Sequence, residues 1–263
     1  MRWTAVAAAL LLLVAPGAAA VQTPQVLASV WYRGLPAGVP RQVDLEAIRD
    51  NGFTAVTWPL QHVNGAEQLQ RMAAALGLTV VVRSESVPLT FRNATNGDLR
   101  ADLLVTRTPR ADWPALMWRA IAHGSRTISF DAGLAEGTGL WDENGPRDWV
   151  PVAAALGRQF TSSAGLWRSA TRGPVVAVEP ADTRLDLSLL DNGRSWIIIV
   201  TNASSAPGEV IDTYATFPKD VPAAEWLNLF DGTMMSMLYR PAGSRWHVRL
   251  GPGEAKVFVI DKR

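Results

Sequence analysis

Two carboxylates stand where a parallel α/β sheet would place its chemistry. Asp131 closes the apolar run from Thr127 to Phe130, and Glu85 lies just past the run from Leu78 to Val82. Sheets of this kind keep their sites at the carboxyl ends of strands. A carboxylate pair is the minimum for cleaving a glycosidic bond, one as acid and one as nucleophile or base. Tyr32, Arg33, Trp58 and Arg83 end or follow other strand-like runs, while Gln61, His62, Glu136 and Trp141 fall in the loops after them. Such a mixture suits a sugar, because flat rings stack on a pyranose face and charged or amide groups bond its hydroxyls. The same residues also read as ion pairs, Arg33 with Asp131 or Arg83 with Glu85, tying the top of the sheet. We therefore expect Glu85 and Asp131 as the catalytic candidates and Tyr32, Arg33, Trp58, His62, Arg83, Glu136 and Trp141 as the substrate-binding ones.

Other chemistries find little support. There is no cysteine, which excludes disulfides, thiolate metal sites and cysteine nucleophiles. The histidines, His62, His123 and His247, are scattered and do not suggest a metal centre. His123 precedes Gly124 at a helix end, where a cation suits the dipole. Asp142-Glu143-Asn144-Gly145 lacks the alternating spacing of a calcium loop and reads as a turn. The glycines from Gly133 to Gly145 are not followed by the Lys-Ser/Thr of a phosphate loop, and no Gly-x-Ser-x-Gly elbow occurs. No cofactor is expected. A net charge of +1, with no basic run or basic helix, excludes the usual nucleic-acid binders.

Targeting is written in the first twenty residues. Arg2 is followed by an apolar run from Trp3 to Val14, then Pro16-Gly17 and the small residues Ala18-Ala19-Ala20. This is the grammar of a cleaved signal peptide. The expectation is an exported protein, periplasmic or extracellular, with no membrane span in the mature chain.

The elements that must position the candidates follow in order. Residues 25–83 read β-α-β-α-β, with helices stopped at Asn51-Gly52 and Gly77. Continuous apolar runs fit strands covered on both faces, so this stretch argues for an α/β barrel or a doubly wound sheet. A weak strand candidate lies at Leu103 to Thr106. An amphipathic helix follows from Pro114 to Ala122, capped by Asp112, and then the strand that ends at Asp131. A last helix runs from Asp148 to about Trp167. Beyond Arg172-Gly173-Pro174 the pattern changes to short strands separated by Asp-Asn-Gly, Asp-Gly and Gly-Pro-Gly turns, the signature of an antiparallel sandwich.

Several of these segments, in order, resemble clan-A glycoside hydrolases. Asn51 to Pro59, NGFTAVTWP, is similar to their second strand. Trp118 to Asp131, WRAIAHGSRTISFD, resembles the helix and final barrel strand of β-galactosidase-like enzymes, and Gly139 to Trp149, GLWDENGPRDW, the loop after it. Leu250 to Ile260, LGPGEAKVFVI, is similar to the last strand of their appended sandwich. The resemblance implies a (β/α) barrel, a β-sandwich and a carbohydrate substrate. The chain departs from that pattern in its middle. A complete barrel takes ~250 residues, and residues 21–171 leave room for roughly five strands of eight. There is no Asn-Glu dipeptide to match the family's acid/base, nor a counterpart of its nucleophile, so no catalytic residue carries over.

The expected architecture is a signal peptide at 1–20, a truncated TIM-like (β/α) barrel at 21–171 and a β-sandwich at 172–263. The expected function is to act on or bind carbohydrate with degenerate catalytic machinery. The alternative is a non-catalytic structural or protein-interaction module derived from a glycosidase. Loss of strands would leave a sheet edge, which must be paired in a homodimer or covered by the segment from Val87 to Arg110.

Overall fold

A computed structural model of the chain describes residues 25–132, 141–142, 145–204, 206–222, 225–238, 240–241 and 243–262. The expected signal peptide and Glu136 lie outside the described residues, as does the side chain of Trp141. The first half contains β1 (Leu27–Trp31), α1 (Gln42–Asp50), β2 (Ala55–Pro59), α2 (Val63–Ala75), β3 (Thr79–Arg83), β4 (Arg100–Leu104), α3 (Trp113–Ala122) and β5 (Thr127–Asp131). The short strands β6 (Trp141–Asp142) and β7 (Gly145–Pro146) then precede α4 (Val150–Ser162) and α5 (Ala164–Trp167).

The five parallel strands lie in the order β3-β2-β1-β5-β4. The last strand pairs with the first, with Ser29 beside Ser129, which is the closing seam of a barrel. Among the described residues β3 and β4 are not paired to each other, so the sheet fits a partial barrel that is open between them. The helices settle the choice between barrel and doubly wound sheet. Gly157 of α4 meets Ala28, Gly65 of α2 meets Trp58, Trp113 of α3 meets Phe130, and Asp44 of α1 bonds Tyr32. These partners all point to one face of the sheet, whereas a doubly wound sheet would carry helices on both.

The other face curls inward over small polar side chains. Ser29 Oγ lies 2.7 Å from Thr57 Oγ1, which lies 3.0 Å from Ser129 Oγ. Thr57 and Ser129 belong to strands on opposite sides of β1, ~9.6 Å apart in a flat sheet. Their direct contact requires strong curvature, and only short side chains permit it. All three are fully buried, so the hydroxyls satisfy one another.

Edge cover comes partly from the chain itself. Pro88 bridges to Asp102 in parallel, and Leu89 N–H donates to the Asp102 carbonyl at 2.6 Å. Leu89 and Ala94 enter the core behind this contact. The covering segment thus includes part of the predicted Val87–Arg110 stretch and lies on β4. That strand begins at Arg100 rather than Leu103, and places Asp102 in its centre.

The second half holds β8 (Thr171–Arg172), β9 (Ala177–Glu179), β10 (Leu185–Asp191), β11 (Ser195–Asn202), β12 (Ile211–Thr216), β13 (Glu225–Asn228), β14 (Met234–Ser236), β15 (Arg245–Leu250) and β16 (Ala255–Asp261). They form a six-stranded sheet, β14-β13-β16-β11-β10-β8, and a three-stranded sheet, β15-β12-β9. Trp196, Ile198 and Val200 of β11 share a hydrophobic cluster with Ile211, Ala215 and Val248 of the smaller sheet. The alternate residues Ile197 and Ile199 join Leu116, Trp118 and Ile121 of α3 in the other cluster. Every residue of β11 is accordingly buried.

That packing corrects two readings of α3. It is not amphipathic in the surface sense: Pro114 and Arg119 alone escape full burial, because the parallel sheet lies on one side and the six-stranded sheet on the other. Asp112 also makes no side-chain cap, since its backbone is already helical and its carboxylate cannot turn back to the first-turn N–H groups. Further on, the predicted single helix to Trp167 breaks at Ser163. There Trp167 turns back so that its Nε1 donates to the Phe160 carbonyl at 3.1 Å.

Candidate active site

The inward face of each parallel strand is fixed by register. Ser29, Trp31 and Arg33 share it with Thr57, Val81, Arg83, Asp102, Ser129 and Asp131. At the carboxyl end these side chains form one continuous chain of contacts. Arg33 clasps Asp131 in bidentate fashion, Nη1 to Oδ1 at 3.1 Å and Nη2 to Oδ2 at 3.2 Å. The Arg33 guanidinium lies 5.6 Å from the Trp31 ring centroid. Trp31 Nε1 donates to Asp102 Oδ1 at 3.3 Å, Arg83 Nη1 binds the same oxygen, and Val87 N–H donates to Oδ2 at 3.1 Å.

Two arginines therefore balance two buried aspartates. Asp131 is 2% exposed and Asp102 1%. Burial pushes the Asp102 carboxyl above its usual range, against the opposing charge of Arg83 and the hydrogen bonds from Trp31 and Val87. Glu85 stands apart, exposed on the loop after β3, and Arg83 turns to Asp102 instead of to it. Of the two ion pairs foreseen from sequence, Arg33–Asp131 forms and Arg83–Glu85 does not.

The aromatic candidates sit on the opposite face. Tyr32 and Trp58 are fully buried, with ring centroids 5.6 Å apart. Tyr32 Oη donates to Asp44 Oδ2 at 2.8 Å and accepts Arg41 N–H at 2.8 Å, and burial pushes its phenol up. Trp58 Nε1 donates to the His62 carbonyl at 3.0 Å, and the His62 ring stands 5.8 Å from the indole. Neither Tyr32 nor Trp58 offers a ring for stacking. Ser29 and Thr57 lie on the inward face of these strands, and Tyr32 and Trp58 alternate with them onto the helix-covered side.

Trp31 and Asp102 are the residues that sequence reading passed over. Asp102 had a signal, since a carboxylate between Ala101 and Leu103 in a buried strand must have a partner. Among the described residues, no group of three or more histidines and carboxylates is placed to hold a metal, and no helix is long and apolar enough to cross a membrane.

No protein-family model and no curated protein matches the sequence. The solved structures to which the chain is similar include glycoside hydrolases. The α-amylase of Anoxybacillus is 9% identical, with 84% of this chain and 62% of that one covered at a TM-score of 0.46. The acarbose complex of the Geobacillus thermoleovorans α-amylase is 10% identical, with 82% and 62% covered at 0.44. A family-30 endoxylanase of Clostridium papyrosolvens is 8% identical, with 90% and 97% covered at 0.40. The chain spans about three fifths of the length of the two amylases, 62% of each. These are likenesses of fold alone.

Proposed function

We propose that the chain binds carbohydrate and does not hydrolyse it. The bidentate Arg33–Asp131 pair carries this reading. A glycosidase needs two carboxyl groups that reach the sugar, ~5 Å apart for retention and ~6.5–9.5 Å for inversion. Here one candidate is buried and neutralised by an arginine, and the other stands on an exposed loop. Glu85, Glu136 and Trp141 are the proposed sugar contacts, and Arg33 and Arg83 are held by Asp131 and Asp102. The carbohydrate assignment is supported by the ordered sequence motifs given above. We read the antiparallel sheets as a sandwich, residues 21–171 and 172–263 as the two units, and residues 1–20 as the export signal of a periplasmic or extracellular protein.

The test is a panel of oligosaccharides followed by calorimetry and by release of reducing ends. Binding without new reducing ends is expected. Turnover that disappears in Glu85→Gln, an exposed change that leaves the fold intact, would overturn the proposal.

A second reading, an interaction module, is favoured by one observation. Among the described residues β3 pairs only with β2, and Val82 on it is 44% exposed. We propose a homodimer through this edge. Sedimentation should show a dimer that Val82→Lys dissociates; a monomer at high concentration removes this reading.

A further inference from the structure

A groove of about 860 Å3 opens on the side of the antiparallel sheets where β14 and β15 end their respective sheets. Met235, Trp246 and Phe258 form its buried floor, and Met234 and Leu238 stand exposed at its lip. Along β15, Trp246, Val248 and Leu250 point inward while His247 and Arg249 point out on the same face as Arg245. Residues two apart on a strand are separated by ~7 Å, so Arg245 and Arg249 hold positive charge about 14 Å apart.

Arg245 is held in place without being neutralised. Its guanidinium lies 4.1 Å from the Tyr214 ring centroid. Tyr214 stacks in turn on His247 at 4.9 Å, and His247 Nε2 lies 2.6 Å from Asp212 Oδ1. A stacked guanidinium keeps its N–H edges free for an incoming oxyanion. The carboxylates of the groove are already engaged. Thr233 bonds Asp231 through N–H at 2.8 Å and Oγ1 at 2.6 Å. Glu254 takes Lys256 Nζ at 3.2 Å and Gly251 N–H at 2.7 Å. Among the described residues, no carboxylate lies within ion-pair distance of Arg240, Arg245 or Arg249.

We infer that this groove binds a linear acidic polysaccharide, with uronate carboxylates meeting Arg245 and Arg249 and the sugar faces lying on Met234 and Leu238. Charge repeated at intervals on the ligand matches charge repeated along β15. The choice of a sugar chain over another polyanion rests on the carbohydrate-binding proposal above.

The experiment measures binding of the full chain to polygalacturonate, to neutral dextran and to polyglutamate, at low and high salt. Polygalacturonate should bind, weaken with salt as an exposed charge contact does, and lose about tenfold or more in Arg249→Ala and Arg245→Ala at unchanged melting temperature. Arg245→Lys, which keeps the charge and loses the stacked fork, should weaken it less than Arg245→Ala. Dextran bound as well as polygalacturonate, with no effect of the arginine variants, overturns the acidic class and leaves carbohydrate binding standing. Polyglutamate bound equally well overturns the sugar chain. Absence of polygalacturonate binding overturns the inference outright. Hydrolysis of any glycan would sink the non-hydrolytic proposal instead, and is read separately as reducing ends.

Discussion

Arg83, at the end of β3, grips Asp102, in the middle of β4, and so joins the two strands between which the parallel sheet is broken. This ion pair bridges the gap in the sheet, with Val87 N–H bonding the same carboxylate. The closure is confined to the carboxyl end. At the amino end, Thr79 and Val81 face Arg100 and Thr127 across an open cavity of about 730 Å3.

Arg83→Met should therefore act on the closure rather than on the hydrophobic core. It strands the Asp102 carboxylate, and breaking a buried pair costs about 3–5 kcal/mol. Urea unfolding should show that loss, and hydrogen exchange should accelerate at the Val87 and Leu89 amides, which bond Asp102. Stability within about 1 kcal/mol of the parent would mean that the pair contributes as little as a surface bridge.

The hydroxyl trio gives a sharper test of the curl. Thr57→Val keeps the shape and removes the atom shared by Ser29 and Ser129, at a cost of about 1–3 kcal/mol for buried groups left unpaired. Thr57→Leu adds volume where β2 and β5 nearly meet, with a further overpacking cost of about 1–3 kcal/mol. If both variants unfold at the parent's urea midpoint, the strands are not pressed together at this level.

Acid should weaken the junction between the two halves. Burial pushes the Asp186 carboxyl up, but the His123 hydrogen bond at 2.9 Å and the charges of His123 and Arg119 overcome it and hold the group below its usual range. A depressed carboxylate stabilises the fold above its unfolded value of about 3.9, and that contribution is lost as pH falls through the folded value. Asp186→Asn should flatten the acid limb of a stability-versus-pH curve and lower stability at neutral pH. Asp102, pushed up by burial, has the opposite sign: its contribution is present in acid and lost as pH rises through its folded value.

Gly253 fixes how closely the antiparallel sheets approach α3. Its φ is +65°, and a Cβ there would stand 2.3 Å from the Ala111 carbonyl oxygen. Gly253→Ala should lower the melting temperature through both strain and backbone clash, whereas Gly193→Ala, also at positive φ but with open space around it, should lower it less. Equal losses in the two variants would assign the whole effect to φ.

Legibility from sequence followed the range of the interactions. The β-α units could be read because continuous β-branched runs and Gly-stopped helices are local signals, and the antiparallel strands because turn dipeptides separate them. The Arg33–Asp131 pair was one of two alternative ion pairs, since Asp131 is 98 residues away and only register brings the two together. The burial of Tyr32 and Trp58 left only a faint signal: Ser29 and Thr57, short polar residues in otherwise apolar runs, alternate with them and mark the other face as inward. For α3, the all-round apolar sequence was itself the signal of two-sided burial, and Arg119 and His123 were the residues that met Asp186 across the junction.

The place of α3 between two sheets also has a temporal side. Its parallel neighbours β4 and β5 flank it in sequence, so during synthesis half of its surface is covered almost at once. The other half waits for Ile197 and Ile199 of β11 and then for Val257 of β16. Until β16 has been made, Trp118 and Ile121 face a gap. The first half is thus an unfinished folding unit until β16 has been made, and deletion of β16 would leave that interval permanent.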